Sequence, residues 1–312
     1  MNKIARYLFL IFLIATTAFI VYKLRKSNTN NIQLSAEYIK PKSFDREFKS
    51  YKFKRLSIDS TFNKHLLLPI KIRYYKNHYY ILDLEDKNIK VFDYVGGFMG
   101  SIGKGKGRGP GEMLYSNDFH IAGDKIWITD TRLLRVSKFN LDGDFKKSFT
   151  VKKHPIRITG IDSALYIKTV GSANIIKQYN LSGNLTGEFG NFINNQEMEP
   201  LAFIGDITKY KKSILFVPYI ASMIYFYQAD SLYKMARRPD GRHFISSKNL
   251  STEDRKMYRA PETDIEARGV SVYNSKLFIV EFKKAQKDNN DNIISPAETF
   301  IDVYDIETGK YK

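Results

Sequence analysis

The 312-residue chain contains no cysteine. That absence excludes a disulfide framework, a thiol nucleophile, a cysteine metal site and a lipid-bearing cysteine. Histidine is scarce too. None of His65, His78, His120, His154 and His243 stands at an H-x-x-x-H or H-E-x-x-H spacing, so no metal is expected from them. No G-x-S-x-G nucleophile elbow is present. Acids are in deficit, 33 against 50 Lys and Arg, for a formal charge of +17. Twelve of those bases, against four acids, fall in residues 1–60. They flank an apolar segment instead of lining a stripe, which argues for a membrane and against nucleic acid as partner.

That apolar segment runs from Tyr7 to Tyr22 (YLFLIFLIATTAFIVY), between Lys3 and Arg6 on one side and Lys23, Arg25 and Lys26 on the other. With Leu24 included it makes a helix of roughly 27 Å, near the thickness of a bilayer core. Two readings compete: an uncleaved signal anchor, and a cleaved signal with Thr16-x-Ala18 as its small-x-small site. The apolar residues Phe19 to Tyr22 beyond that site favour the anchor. The expectation is a transmembrane helix within residues 1–26, inserted through residues 7–24, a tether over 27–43, and a folded domain over 44–312. The domain is expected in the periplasm, anchored at the inner membrane, or secreted if the signal is removed.

The rest of the chain repeats. A short apolar run with an aromatic recurs at Tyr80-Ile81-Leu82-Asp83, Trp127-Ile128-Thr129-Asp130, Tyr166-Ile167-Lys168-Thr169, Phe216-Val217-Pro218 and Phe278-Ile279-Val280. Each run is followed by an aromatic with a polar neighbour: Phe92-Asp93, Phe139-Asn140, Tyr179-Asn180, Tyr227-Gln228 and Tyr304-Asp305. A glycine follows four of these pairs, at Gly96, Gly143, Gly183 and Gly309. In the second unit, strands are expected over Asp118 to Ala122, Lys125 to Thr129, Val136 to Asn140 and Phe145 to Val151, with Asp142-Gly143 as the last turn. Four antiparallel strands repeated every 40–50 residues or so mark a β-propeller blade. The predicted fold is therefore all-β: a propeller of four-stranded blades, five of them visible. Two stretches depart from the pattern. Ser251-x-x-Asp254 reads as a capping box opening a short helix over Thr252 to Tyr258. Lys283 to Pro296 reads as an expanded hairpin loop in the fifth unit.

Between the first two units lies Gly103-Lys-Gly-Lys-Gly-Arg-Gly-Pro-Gly-Glu-Met113. This run, with the G-x-G-P-G-E segment Gly107 to Glu112 closing the first blade, resembles the bacterial 6-bladed β-propeller family related to NHL and TolB-like propellers. The resemblance implies six-bladed ancestry and a last blade closed by an N-terminal strand, here Tyr51 to Ile58. Five units are seen before Lys312, so the domain is expected to lack its last blade, the alternative being that the N-terminal strand closes a five-bladed ring. Family members often begin with a lipobox cysteine, and its absence fits the helix anchor.

The glycine run is not a P-loop, since Gly109-Pro110-Gly111-Glu112 stands where Gly-Lys-Ser/Thr would be required. Gly107, Gly109, Pro110 and Gly111 are expected to shape the loop, and Lys104, Lys106, Arg108 and Glu112 are the candidate ligand-binding residues. Asp288-x-Asn290-x-Asn292 starts like a calcium loop but has Ile293 and Thr299 where Gly and an acid belong, so it reads as a polar hairpin. Asp83 and Asp130 are expected to bond nearby backbone. The strand aromatics are expected in the core. No cofactor, metal or catalytic residue is expected. The functional expectation is a membrane-anchored, exported, non-catalytic binding module for a protein, peptide or glycan. The alternative is a metal-dependent lactonase or lyase-like propeller, which requires several acids, Asn or His converging on the axis.

Overall fold

The computed structural model describes residues 36–40, 64–170, 174–191, 204–219, 221–239, 249–252, 255–258, 265–287 and 293–312. The expected membrane helix, the strand Tyr51 to Ile58, and the Asp288, Asn290 and Asn292 positions lie outside the described residues. Among those described, no helix is long and apolar enough to cross a membrane. Within the stretch expected to be a tether, Glu37–Ile39 (β1) is a strand.

Every named element is a β-strand, and the large sheets follow the repeat. The first sheet is β2 (Pro69–Tyr75), β3 (His78–Asp83), β4 (Asn88–Asp93) and β5 (Phe98–Ile102). The second is β6 (Ser116–Ala122), β7 (Lys125–Asp130), β8 (Arg135–Asn140) and β9 (Phe145–Thr150). The third is β10 (His154–Ile161), β11 (Ala164–Val170), β12 (Asn174–Asn180) and β13 (Leu185–Asn191). The fourth is β14 (Gly205–Tyr210), β15 (Ser213–Pro218), β16 (Met223–Gln228) and β17 (Ser231–Arg237), with β1 added in parallel outside β17.

Two two-stranded ribbons follow. One is β18 (Asn249–Thr252) with β19 (Arg255–Tyr258), and the other is β22 (Gln286–Lys287) with β23 (Ile293–Ser295). The second ribbon lies in the excursion expected between the long strands of the fifth unit. The fifth sheet is β20 (Ile265–Tyr273), β21 (Lys276–Lys283) and β24 (Glu298–Asp305), with Tyr311 bridging back to Tyr304 where a fourth strand would begin.

The ribbon β18–β19 corrects the expected helix over Thr252 to Tyr258. Ser251 sits in a strand opposite Lys256, so the capping-box pattern starts no helix. One or two isolated turns are too short to sustain a helix, whereas the ribbon pairs its backbone across the strands.

First strands touch in sequence: β2 with β6, β6 with β10, β10 with β14, β14 with β20. They are therefore the innermost strands, and the sheets radiate from a common axis, the arrangement of a propeller. Second strands are sandwiched between neighbouring sheets, which is why β7 and β15 are buried at five successive positions instead of alternating. The repeated aromatics Phe92, Phe139, Tyr179, Tyr227 and Tyr304 are all buried. Their polar neighbours make the next turn. Asn140 Oδ1 accepts the Asp144 N–H at 2.7 Å, and Asn180 Oδ1 accepts those of Ser182 and Asn184. Gly143 closes its turn at φ 96°, a region costly for any residue with a Cβ. Where Gln228 replaces Asp or Asn, the connection shortens to Ala229 and Asp230.

The antiparallel order puts two kinds of connection at one end of the molecule: those from a fourth strand to the next first strand, and the turns between second and third strands. This end is called the upper face below.

Candidate functional site

Two features occupy the upper face. The first is the glycine-rich connection from β5 to β6. Gly109, Pro110, Gly111 and Glu112 form a type II turn: the Glu112 N–H donates to Gly109 O at 3.2 Å, and Gly111 takes φ 83° in the third position. Proline in the second position presets that turn. Glu112 Oε2 accepts the Gly109 N–H at 2.7 Å, and a Cβ on Gly107 would stand 2.0 Å from the same oxygen. The loop folds on itself through Lys104 N–H to Gly111 O, Met113 N–H to Gly105 O and Gly107 N–H to Met113 O. Arg135, at the start of β8, then donates to the carbonyls of Arg108, Gly109 and Glu112. The G-x-G-P-G-E segment is thus a folded unit gripped by the next blade.

The four candidate ligand residues divide. Lys104, Lys106 and Arg108 are exposed and alternate with half-buried glycines, so their charges stand on one edge of the loop. Glu112 is half-buried and turned into the loop through its bond to Gly109. Arg132, Lys152 and Lys153 are exposed on neighbouring upper-face connections.

Asp83 and Asp130 bond backbone as expected. Asp83 accepts the N–H groups of Leu67, Leu68, Glu85 and Asp86. Burial would raise its carboxyl, but these four bonds outweigh burial and hold it below the ordinary aspartate value. Asp130 accepts those of Leu114, Tyr115, Arg132 and Leu133. Each aspartate ties the entry of its blade to the turn between its second and third strands.

The second feature lies on the axis and is absent from the sequence-based expectations. Counting back from each inner hairpin, the same register position holds Lys71, Asp118, Arg157, Asp206 and Gly269. The first four alternate in sign around the ring. Lys71 Nζ lies 3.2 Å from Asp206 Oδ2, joining the first blade to the fourth. Arg157 Nε donates to Asp206 Oδ1, and Arg157 Nη2 donates to the Tyr219 hydroxyl at 2.5 Å. That hydroxyl donates to Asp206 Oδ1 at 3.1 Å. Arg73, two residues after Lys71, meets Asp118 at 2.9 Å, and Asp118 also accepts the N–H groups of Phe119 and Ile158.

Burial would raise Asp206, but Lys71 and Arg157 outweigh it and hold the carboxyl below its ordinary value. Burial raises the Tyr219 hydroxyl, and Asp206 adds to that rise. Each axial carboxylate is engaged by a cation. Among the described residues, no three of His, Cys, Asp and Glu are placed to hold a metal ion.

Radiating four-stranded sheets with charged inner strands define a β-propeller. The chain belongs to the 6-bladed beta-propeller family DUF5128, which matches residues 27–311. Five blades are present among the described residues. No curated protein sequence matches the chain. Among solved structures it is similar to a candidate exported protein from Bacteroides fragilis NCTC 9343 (BF0058), at 16% identity and a TM-score of 0.56, covering 88% of this chain and 78% of that one. Streptogramin B lyase is similar at 16% identity and a TM-score of 0.47, covering 74% of this chain and 68% of that one. BamB from Moraxella catarrhalis is similar at 9% identity and a TM-score of 0.44, covering 77% and 62%. At these identities the likeness concerns the fold alone.

Proposed function

We propose that this propeller is an exported, membrane-anchored binding module, without catalysis, whose upper face meets a protein, peptide or glycan partner bearing negative charge. The observation that carries the reading is the loop edge of Lys104, Lys106 and Arg108: three exposed cations on a backbone held by Glu112 and Arg135. A backbone held in advance loses less entropy on binding than a floppy basic loop. Residues 7–24 anchor the chain, and the similar Bacteroides fragilis protein, itself a candidate for export, is in keeping with an envelope location.

The binding test uses the full-length protein in detergent micelles, with poly-L-glutamate and heparin as acidic polypeptide and acidic glycan probes. Changing Lys104, Lys106 and Arg108 together to serine should weaken binding of one probe at least tenfold and leave the melting temperature unchanged. Equal binding by the triple variant and the parent would reject the loop as the contact. Anchoring is read by fractionation. The full chain should pellet with membranes, and a chain lacking residues 1–31 should stay in the supernatant; full-length protein in the supernatant would sink the anchor.

A further inference from the structure

The lower face, opposite the glycine-rich loop, is where the chain arrives from its apolar segment. Fourth strands run from the lower face to the upper one. β1 lies parallel to the fourth strand β17, with Glu37 beside Lys234 and Ile39 beside Ala236. β1 therefore begins at the lower face, on the outer edge of the fourth blade. Residues 25–36 lead there from the end of the apolar segment at Leu24, and fully extended they reach at most roughly 40 Å. In an anchored chain the lower edge of the fourth blade is thus held near the bilayer. A tethered contact is intramolecular, so a weak surface patch suffices to hold it.

The lower-face turns of all five large sheets lie within the described residues. On the second and third blades they expose Asp124, Asp142, Asp144 and Asp162. Of these, Asp124 and Asp144 pair with Lys125 and Lys146 at 2.6 and 3.4 Å. On the first, fourth and fifth blades they expose Lys76, Lys211, Lys212, Lys276 and Lys310 against Asp230 and Glu307, and Lys211 meets Glu307 at 2.6 Å. The face is therefore polarised, and its basic side is the side on which the tether arrives. That side also holds the three most exposed tyrosines among the described residues, Tyr74, Tyr94 and Tyr273, at 57, 62 and 68%. Val95, 66% exposed, stands beside Tyr94 on the β4–β5 turn. Exposed tyrosines among lysines suit a membrane interface, where the rings sit at headgroup level and the ammonium groups meet anionic lipid.

We propose that the lower edges of the first, fourth and fifth blades rest on the anionic lipid surface that residues 7–24 enter, with Tyr94 and Val95 among the headgroups. This rests on the anchored reading above and adds an orientation to it. The upper face, with Lys104, Lys106 and Arg108, points away from the membrane and stays open to its partner. The acidic turns of the second and third blades are repelled by the same lipid, which tilts the propeller towards its basic side.

The absence of cysteine makes the test direct. Val95→Cys on the lower face, or Lys153→Cys on the upper, gives the full-length protein a single site for an environment-sensitive dye. Tyr94→Cys supplies a second label on the lower turn. Each labelled protein is reconstituted into vesicles of phosphatidylcholine alone, or of phosphatidylcholine and phosphatidylglycerol in equal parts, with brominated acyl chains as quencher. In the mixed vesicles the Val95 label should lose about half of its emission, and the Lys153 label almost none. The loss at Val95 should be smaller in phosphatidylcholine alone. Lys212→Gln combined with Lys276→Gln should cut that loss by about half or more in the mixed vesicles. Equal quenching at Val95 and Lys153 in protein that floats with the vesicles overturns the proposal and leaves the anchor standing. A loss at Val95 that is the same in both vesicles also overturns it. Failure to float with either vesicle rejects the anchor and the orientation together.

Discussion

At the scale of single residues, two buried charges make opposite predictions. Lys168 is enclosed between blades and faces Phe216, Arg157 and Asp206, with Lys71 beyond that carboxylate. Its ordinary value near 10.5 falls to about 7 in the fold, so the folded state disfavours the charged form. Its cost to stability is absent above the unfolded value, grows as pH falls through that value and is complete below the folded value. Lys168→Met should therefore raise stability at pH 7 by about 1–3 kcal/mol, with a smaller gain at pH 9.5; denaturant titration at the two pH values checks both. An equal gain at the two would contradict the sign of the shift. Glu281 is the reverse case. It meets Arg238 at 2.5 Å, and both side chains are fully buried between the fourth and fifth blades. Removing one member of such a pair leaves the other charged inside, so Glu281→Ala should cost about 3–5 kcal/mol in the same titration.

At the scale of elements, turn chemistry was legible where it is local. The pairs Phe139-Asn140 and Tyr179-Asn180 declare their roles in order: the aromatic packs into the core and the amide closes the turn. Gly143→Ala should cost about 1–2 kcal/mol, because its φ is positive. The Gly-Pro-Gly-Glu turn was legible for the same reason. Its clamp was not: Arg135 lies 26 positions from Gly109 and reads in sequence as an ordinary strand-edge base. Arg135→Ala should speed amide exchange across residues 103–113 and leave the third and fourth blades unaffected. Uniform exchange in that loop before and after the change would deny the clamp. The expected helix at Thr252 failed on a purely local signal, because a capping box states how a helix would begin and says nothing of a competing strand partner.

At the scale of the whole molecule, contacts that close the arc come from distant segments. β1 adds to the outer edge of the fourth blade, and Ile39 packs in the cluster shared by the fourth and fifth blades. Lys234, in β17 beside it, donates to the carbonyls of Ile306 and Glu307 at 2.7 and 2.8 Å. The N-terminal strand thus braces the junction that the C-terminal turn completes. Ile39→Ala should lower stability by about 1–2 kcal/mol, less than a full core truncation because the side chain is only partly buried. Limited proteolysis should then cut the fifth blade before the first, and unchanged cleavage would show that β1 is a passive addition.

The sequence alone determined the blade. Short apolar runs, turn residues and the aromatic–amide pair act within a few residues of one another, so their physics is written in adjacent positions. The glycine loop's shape followed for the same reason. Only the tertiary structure decided the axis. Lys71 and Asp206 stand 135 positions apart, and each looks like a polar residue on a half-exposed strand until the ring brings the inner strands together. Coulomb energy depends on distance in space, and burial strengthens it by removing water. The alternating ring and the displaced protonation of Lys168 therefore belong to the folded molecule.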